Sequence, residues 1–312
     1  MDFTQNTVTE INEAALHPES FIRASENRYK NEVYNVAKII AANDNIKIVA
    51  LAGPSGSGKT TTAHILCERL EELGETPTVV SLDDFYLSAE DLPLLPDGSP
   101  DIESVNSLNI SLINKCFNEI ITTGETLLPR FDFANKKSIR NGKRVDINDH
   151  GIIIVEGLHA LNPLITDLVP RENIFKAYIS VNCSILDRFG EQLLSSRQIR
   201  LVRRVLRDRI FRGSEVEDTL KRWNGVVEGE RKYLYCFKNT ADALIKTLHH
   251  FEPCVYKDAF LTLKSFVNPK TECYEYFMRT ADALEKFESI NSYILPQDSL
   301  VREFIGNGKY ND

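Results

Sequence analysis

The sequence has no apolar run approaching the ~18 residues that a membrane-spanning helix needs. Its first stretch, MDFTQNTVTEINEAALHPES, is acidic where a secretory leader would be basic and then apolar. Six cysteines (Cys67, Cys116, Cys183, Cys236, Cys254 and Cys273) are scattered without a C-x-x-C pair. Neither a zinc site nor a redox pair is signalled, and reduced, partly buried thiols of a cytosolic protein are expected. Basic charge is not in excess: 37 Lys and Arg stand against 45 Asp and Glu, a net charge of −8. That balance argues against a broad basic face for nucleic acid or for an anionic membrane surface. Internal repeats and low-complexity tracts are missing as well. What remains is the expectation of a cytoplasmic globular chain whose partners are small molecules, with homo-oligomerisation left open.

The 312 residues are enough to bury a large core, and 42% hydrophobic with 26% charged residues is ordinary for a globular protein. Periodicity predicts an N-terminal helix over RYKNEVYNVAKIIAAN, a strand at 46–52, a helix at 60–73 and a strand at 78–82. Further along it predicts a helix near 107–123, strands at 151–155 and 174–181, helices near 196–211 and 215–230, and a short strand at Ala241–Thr247. Strands alternating with helices imply a three-layer α/β/α arrangement with a parallel sheet covered on both faces. From about Val255 the sequence reads as helical again, either an extension packed on the core or a small helical subdomain.

Between the first strand and its helix runs Gly53-Pro54-Ser55-Gly56-Ser57-Gly58-Lys59-Thr60, followed by Thr61. Glycines there can take backbone angles that side chains forbid, so successive N–H groups curl around an anion at a positive helix N-terminus. Lys59 then reaches the β- and γ-phosphates, and the Thr60 hydroxyl holds Mg²⁺. The full G-x-x-x-x-G-K-[ST] pattern, with strand before and helix after, predicts an ATP-type nucleotide site.

Three further stretches carry chemistry. GIIIVEGLHAL, residues 151–161, sets four consecutive aliphatics before Glu156. An acid at a strand end beside a phosphate loop is placed to support Mg²⁺ directly or through water. VVSLDDFYLS, residues 79–88, ends a strand in Asp83 and Asp84 followed by Phe85 and Tyr86. A carboxylate there can take the proton of an acceptor hydroxyl while an aromatic ring lines a planar substrate; turn capping is its bland alternative. RQIRLVRRVLRDRIFRG, residues 197–213, holds seven arginines in seventeen residues. Helical spacing puts Arg200, Arg204 and Arg207 on one face with Arg203 adjacent. The reading is a lid over the transferring phosphoryl group rather than a solvated helix face. The polar stretch 88–107 is expected to cross the mouth of the site.

In that order and spacing, Gly53–Thr60, SLDDFY, PRFDF, IIIVEGLHALN and RLVRRVLRDRIFRG resemble the phosphoribulokinase/uridine kinase family of P-loop kinases over roughly residues 46–250. The stretch from FRGSEVEDTL onward is similar to bacterial uridine or nucleoside kinases. The resemblance implies three parts: an N-terminal helical segment over 1–45, a kinase domain over 46–250 and a helical extension over 251–312. It implies Asp83 as general base, Lys59 with Arg204, Arg207 and Arg212 as catalytic cations, and Glu156 with Thr60 on the metal side. Tyr86, Phe131, Phe133, Lys136 and Arg204 become substrate neighbours. The expected activity is transfer of the γ-phosphoryl group of ATP, with Mg²⁺, to a hydroxyl of a nucleoside-like acceptor.

Departures accompany the resemblance. Phe131-Asp132-Phe133 precedes Ala134, Asn135 and Lys136 where the family has a base-contacting histidine, and Ser214 stands where an arginine lies near the nucleoside. Gly98-Ser99-Pro100-Asp101 occupies the place given to the ribose-holding Asp-His-Pro-Asp. A sugar or sugar-phosphate acceptor, with Lys136 and Arg140 pairing its anion, or an inactive nucleotide-binding regulator stay as alternatives. A GTPase is disfavoured because Asn135-Lys136-Lys137-Ser138 lacks the aspartate that would read guanine.

Overall fold

The structure is a computed structural model that describes residues 7–132, 135–147 and 150–310. Two helices open it, α1 (Val8–Ala15) and α2 (Pro18–Ala41), and β1 (Ile48–Ala52) leads into α3 (Lys59–Glu72). There follow β2 (Thr76–Ser81), α4 (Ile110–Thr123), β3 (Glu125–Asp132), β4 (Lys137–Asp146), β5 (Gly151–Gly157), the single turn α5 (Pro163–Thr166) and β6 (Ile174–Ser180). Next come β7 (Ser184–Leu186), β8 (Gln192–Ser195), α6 (Ser196–Arg212), α7 (Val216–Tyr233) and β9 (Ala243–Lys246). The C-terminal part adds α8 (Glu252–Leu261), α9 (Tyr274–Leu284) and α10 (Arg302–Ile305).

Five strands form a parallel sheet in the order β2-β5-β1-β6-β9. All residues of β1 and β5 are buried, as expected of central strands covered on both faces. The pleat sends alternate side chains to opposite sides, and each side has its own core. Val49, Leu51, Ile152 and Ile154 join Ile65, Leu66, Val202 and Trp223 on one side, while Ile48, Ala50, Ile153 and Val155 join Ile113, Phe117 and Ile165 on the other. Phe260, Phe277, Leu284, Leu300 and Phe304 belong to the same buried cluster as Leu51 and Leu66. The C-terminal helices therefore share the core of the P-loop helix.

Two antiparallel hairpins, β3–β4 and β7–β8, were not anticipated from the sequence. In the first, Pro129 lacks an N–H for the ladder, and the register shifts between Leu128 and Arg130. The proline and the many charges in ETLLPRFDFANKKSIRNGKRVDIND break the alternation that would mark a strand. The hairpin hangs on the site through Asp84, whose Oδ1 accepts the Phe131 N–H at 3.2 Å.

Candidate active site

The chain leaves β1 and enters α3 through the glycine loop. Gly58 takes φ +85° and Gly56 φ +71°, angles that favour glycine, and both are approached closely. A Cβ on Gly56 would come within 2.9 Å of the Arg200 carbonyl oxygen, and one on Gly58 within 2.6 Å of the Leu300 side chain. So α6 and the segment before α10 press on the loop from two directions.

The loop's donors already point at negative groups. The Ser55 N–H donates to Glu230 at 2.8 Å, and Thr61 donates to Glu303 through its N–H at 3.3 Å and its hydroxyl at 2.7 Å. Lys59 bends back onto the Pro54 carbonyl at 3.3 Å. Carboxylates at both ends of the cradle are what its positive field selects. Thr247 and Arg203 donate to the carbonyls of Ser57 (2.7 Å) and Gly56 (3.1 Å), so the loop's acceptors are also satisfied and its shape is held from behind.

Asp83 lies in the short 3-10 turn Leu82–Phe85 at the carboxyl end of β2, with the Ser81 hydroxyl accepting its N–H. Its side chain is open to solvent while the surrounding wall crowds it. Desolvation pushes its pKa upward, Lys59, Arg212 and Arg207 pull it down, and the neighbouring Asp84 charge adds to the rise. Glu156 at the end of β5 is buried and accepts the Ser81 hydroxyl at 2.8 Å. Burial pushes its pKa up to about 7; Lys59 opposes the shift and the Asp83 charge reinforces it. Strand pairing sets this geometry, because Ser81 is in register with Glu156, and Glu156 with Leu51.

The seven arginines of α6 do not act as one face. Arg200 and Arg203 are structural: each is buried and paired, Arg200 with Glu230 at 2.6 Å and Arg203 with Glu252 at 2.6 Å. Arg204 donates to the Ser55 hydroxyl at 2.7 Å. Asp208, itself buried, gathers Arg207 at 2.9 Å, Arg204 at 3.4 Å and Arg212 at 3.4 Å. One carboxylate thus arranges three guanidinium groups and leaves their summed charge positive. Arg207 and Arg212 lie close enough to Asp83 to pull its pKa down.

Near Asp83, whose charge acts on Tyr86, Tyr86 and Phe131 form an aromatic wall with ring centroids 5.9 Å apart, and the Tyr86 hydroxyl donates to the Ile102 carbonyl at 3.2 Å. Lys136 is exposed at the β3–β4 turn with φ +53°, and it is not among the charges that act on Asp83. Phe133 lies outside the described residues. The stretch 88–107 does reach the site, but through Glu103 rather than through the Gly98–Asp101 stretch. The Glu103 side chain packs where Gly229 of α7 leaves room, and after burial the strongest influence on it is Arg204. Glu103, Asp208, Glu230 and Glu303 are therefore the site residues that sequence reading missed. An acid two or three residues from the expected position, or one far along the chain, carries no local pattern.

A parallel sheet with the glycine loop after its central strand, acids at the ends of two neighbouring strands and an arginine helix across the loop define an α/β P-loop kinase. The chain belongs to the phosphoribulokinase/uridine kinase family, whose model matches residues 48–252. Among curated proteins it is similar to the uridine kinase of Halobacterium salinarum, at 23% identity over 63% of this chain and 78% of the relative. It is similar to the uridine kinase of Ureaplasma parvum at 26% identity over 58% of this chain and 77% of the relative. The uridine kinase of Saccharomyces cerevisiae matches at 24% identity over 64% of this chain, which spans only 37% of that longer protein. Among solved structures, a possible uridine kinase from Bacillus stearothermophilus overlaps 69% of this chain and 98% of its own, with TM-score 0.47 and 17% identity. Among the described residues no helix is long and apolar enough to cross a membrane.

Proposed function

We propose that the protein transfers the γ-phosphoryl group of ATP to a hydroxyl of a small, nucleoside-like acceptor in the cytoplasm. The observation that supports this most is the convergence on one carboxylate: Asp83 is acted on by Lys59, Arg212 and Arg207 together. A base for the acceptor proton and the cations for the phosphoryl oxygens thus face each other, which is the arrangement phosphoryl transfer needs. Gly53 to Thr61 cradles the phosphates, with Lys59 turning from the Pro54 carbonyl to the β- and γ-oxygens. Arg204, Arg207 and Arg212 stabilise the charge that spreads over the moving group, and Asp208 keeps them in place.

The residues also fit a divalent cation. Glu156 is a buried acid with a raised pKa, paired in register with Leu51 two residues before the glycine loop begins, and Lys59 is the leading cation acting on it. Glu156 and the Thr60 hydroxyl would hold Mg²⁺, which when bound neutralises phosphate charge. Tyr86 and Phe131 would flank a planar or ring-shaped acceptor, and the nucleoside comes first because the curated relatives are named uridine kinases. Ser214, where the family has an arginine near the nucleoside, favours a second reading in which the acceptor is a sugar.

An ADP-release assay over a panel of nucleosides, sugars and sugar phosphates, with mass spectrometry of products, tests the proposal. A nucleoside 5′-monophosphate supports it, a sugar product selects the second reading, and ATP binding with no acceptor-stimulated turnover refutes both.

A further inference from the structure

His159 lies two residues beyond the end of β5, where its carbonyl accepts the Asn162 N–H at 2.8 Å. Its side chain is 3% exposed, and neither ring nitrogen has a hydrogen-bond partner of good geometry among the described residues. The ring meets Tyr233 of α7 edge-on, with centroids 5.8 Å apart and planes at 72°. Its other neighbours belong to the site: the Glu103 backbone, within loose hydrogen-bonding reach of the ring, and, at longer range, the Lys59 ammonium. Burial lowers its pKa to about 4, the Glu103 backbone opposing and Lys59 adding to the shift, so at neutral pH the ring is uncharged. A neutral imidazole carries one donor and one acceptor, and buried polar groups are almost always satisfied.

We infer that His159 contacts the phosphate acceptor, using its donor and acceptor nitrogens to hold an uncharged polar group such as a hydroxyl or an imide edge. The inference rests on the kinase reading above, since Glu103, whose backbone neighbours the ring, also feels the Asp83 charge. It adds to that reading a specificity residue in the turn after β5, and it favours an acceptor that presents a neutral group at this corner over one that presents a phosphate there.

The test compares wild type, His159→Gln and His159→Phe with ATP and whichever acceptor the panel identifies. The expected result is an acceptor KM raised roughly tenfold in His159→Phe, partly restored in His159→Gln, with the ATP KM and Tm unchanged. In wild type, the imidazole ¹⁵N shifts should move when acceptor is added in the presence of a non-hydrolysable ATP analogue. If His159→Phe fails to fold, the glutamine variant and the ¹⁵N shifts decide. Acceptor KM values within about twofold of wild type in the glutamine variant, together with unmoved shifts, overturn the inference and leave the kinase reading standing. A wild type that turns over no acceptor overturns the kinase reading and this inference with it.

Discussion

Replacing Glu303 by glutamine should tighten nucleotide binding while slightly weakening the fold. The Glu303 carboxylate sits on the Thr61 N–H at 3.3 Å and hydroxyl at 2.7 Å, at the start of the helix that follows the phosphate loop. An incoming nucleotide brings its own negative charge to the same helix end. At an effective dielectric constant of ~20, two unit charges ~4 Å apart repel by about 4 kcal/mol. Glu303 is half-buried and its side chain can swing away, so a realised relief of about 1–3 kcal/mol is the working figure, a gain of roughly 5- to 150-fold in affinity. The opposite effect is small: a carboxylate at a helix N-terminus contributes about 0.3–1 kcal/mol, and the glutamine amide oxygen can still accept from Thr61. Calorimetric titration with Mg²⁺-free ADP, beside a thermal melt, reads both. The gain should shrink at high salt, where the repulsion is screened. A Kd unchanged or weakened in Glu303→Gln would mean instead that Glu303 holds Thr61 ready for the phosphate rather than competing with it.

The buried charges behind the loop govern stability and its pH dependence. Arg203→Met strands Glu252 in the core and should cost about 3–5 kcal/mol, whereas Arg203→Met with Glu252→Gln should recover much of the loss; denaturant unfolding of the two variants measures it. His249 is buried, which by itself lowers its pKa, but the Glu26 charge and the hydrogen bond to Glu252 outweigh this and raise it to about 9. Burial raises the pKa of Glu252, yet Arg203 and His249 bring it down to about 2. A raised histidine contributes stability in full below its unfolded pKa of about 6.5 and loses it as pH rises through 9, while a depressed glutamate contributes above about 4.5 and loses it as pH falls towards 2. The Tm difference between wild type and His249→Gln should therefore be largest between about pH 4.5 and 6.5 and shrink steadily towards pH 9. A difference that grows with pH would contradict that sign.

The phosphate loop, the strands at its sides and the acids at their ends could be read from the sequence because each is a local pattern with a single physical explanation. Gly53 to Thr60 needs glycine angles and a lysine, and GIIIVEG is an unbroken aliphatic run with an acid at its tip. The arginine helix was only half legible. Spacing shows which arginines share a face, but it cannot show that Arg200 meets Glu230 thirty residues on, or that Arg203 meets Glu252 forty-nine residues on. The carboxylate on Thr61 comes from 242 residues away, and nothing near Glu303 announces it. The β3–β4 hairpin escaped for another reason: tertiary anchoring through Asp84 holds a strand that Pro129 and its charges would argue against. Glu103 was hidden by the resemblance itself, which drew attention to Gly98–Asp101, while the packing of the loop against α7 delivers the acid two residues later.

The proposed mechanism turns on Asp83 taking the proton of an acceptor hydroxyl beside the phosphate loop. Its most direct test is the kinetics of Asp83→Asn against wild type, with ATP and the acceptor found by the panel. A kcat lower by about 10²- to 10⁴-fold is expected, with KM values for ATP and acceptor within roughly threefold of wild type, because the change removes a base and leaves the binding surfaces in place. A kcat close to wild type, or a loss carried wholly by the acceptor KM, would contradict it.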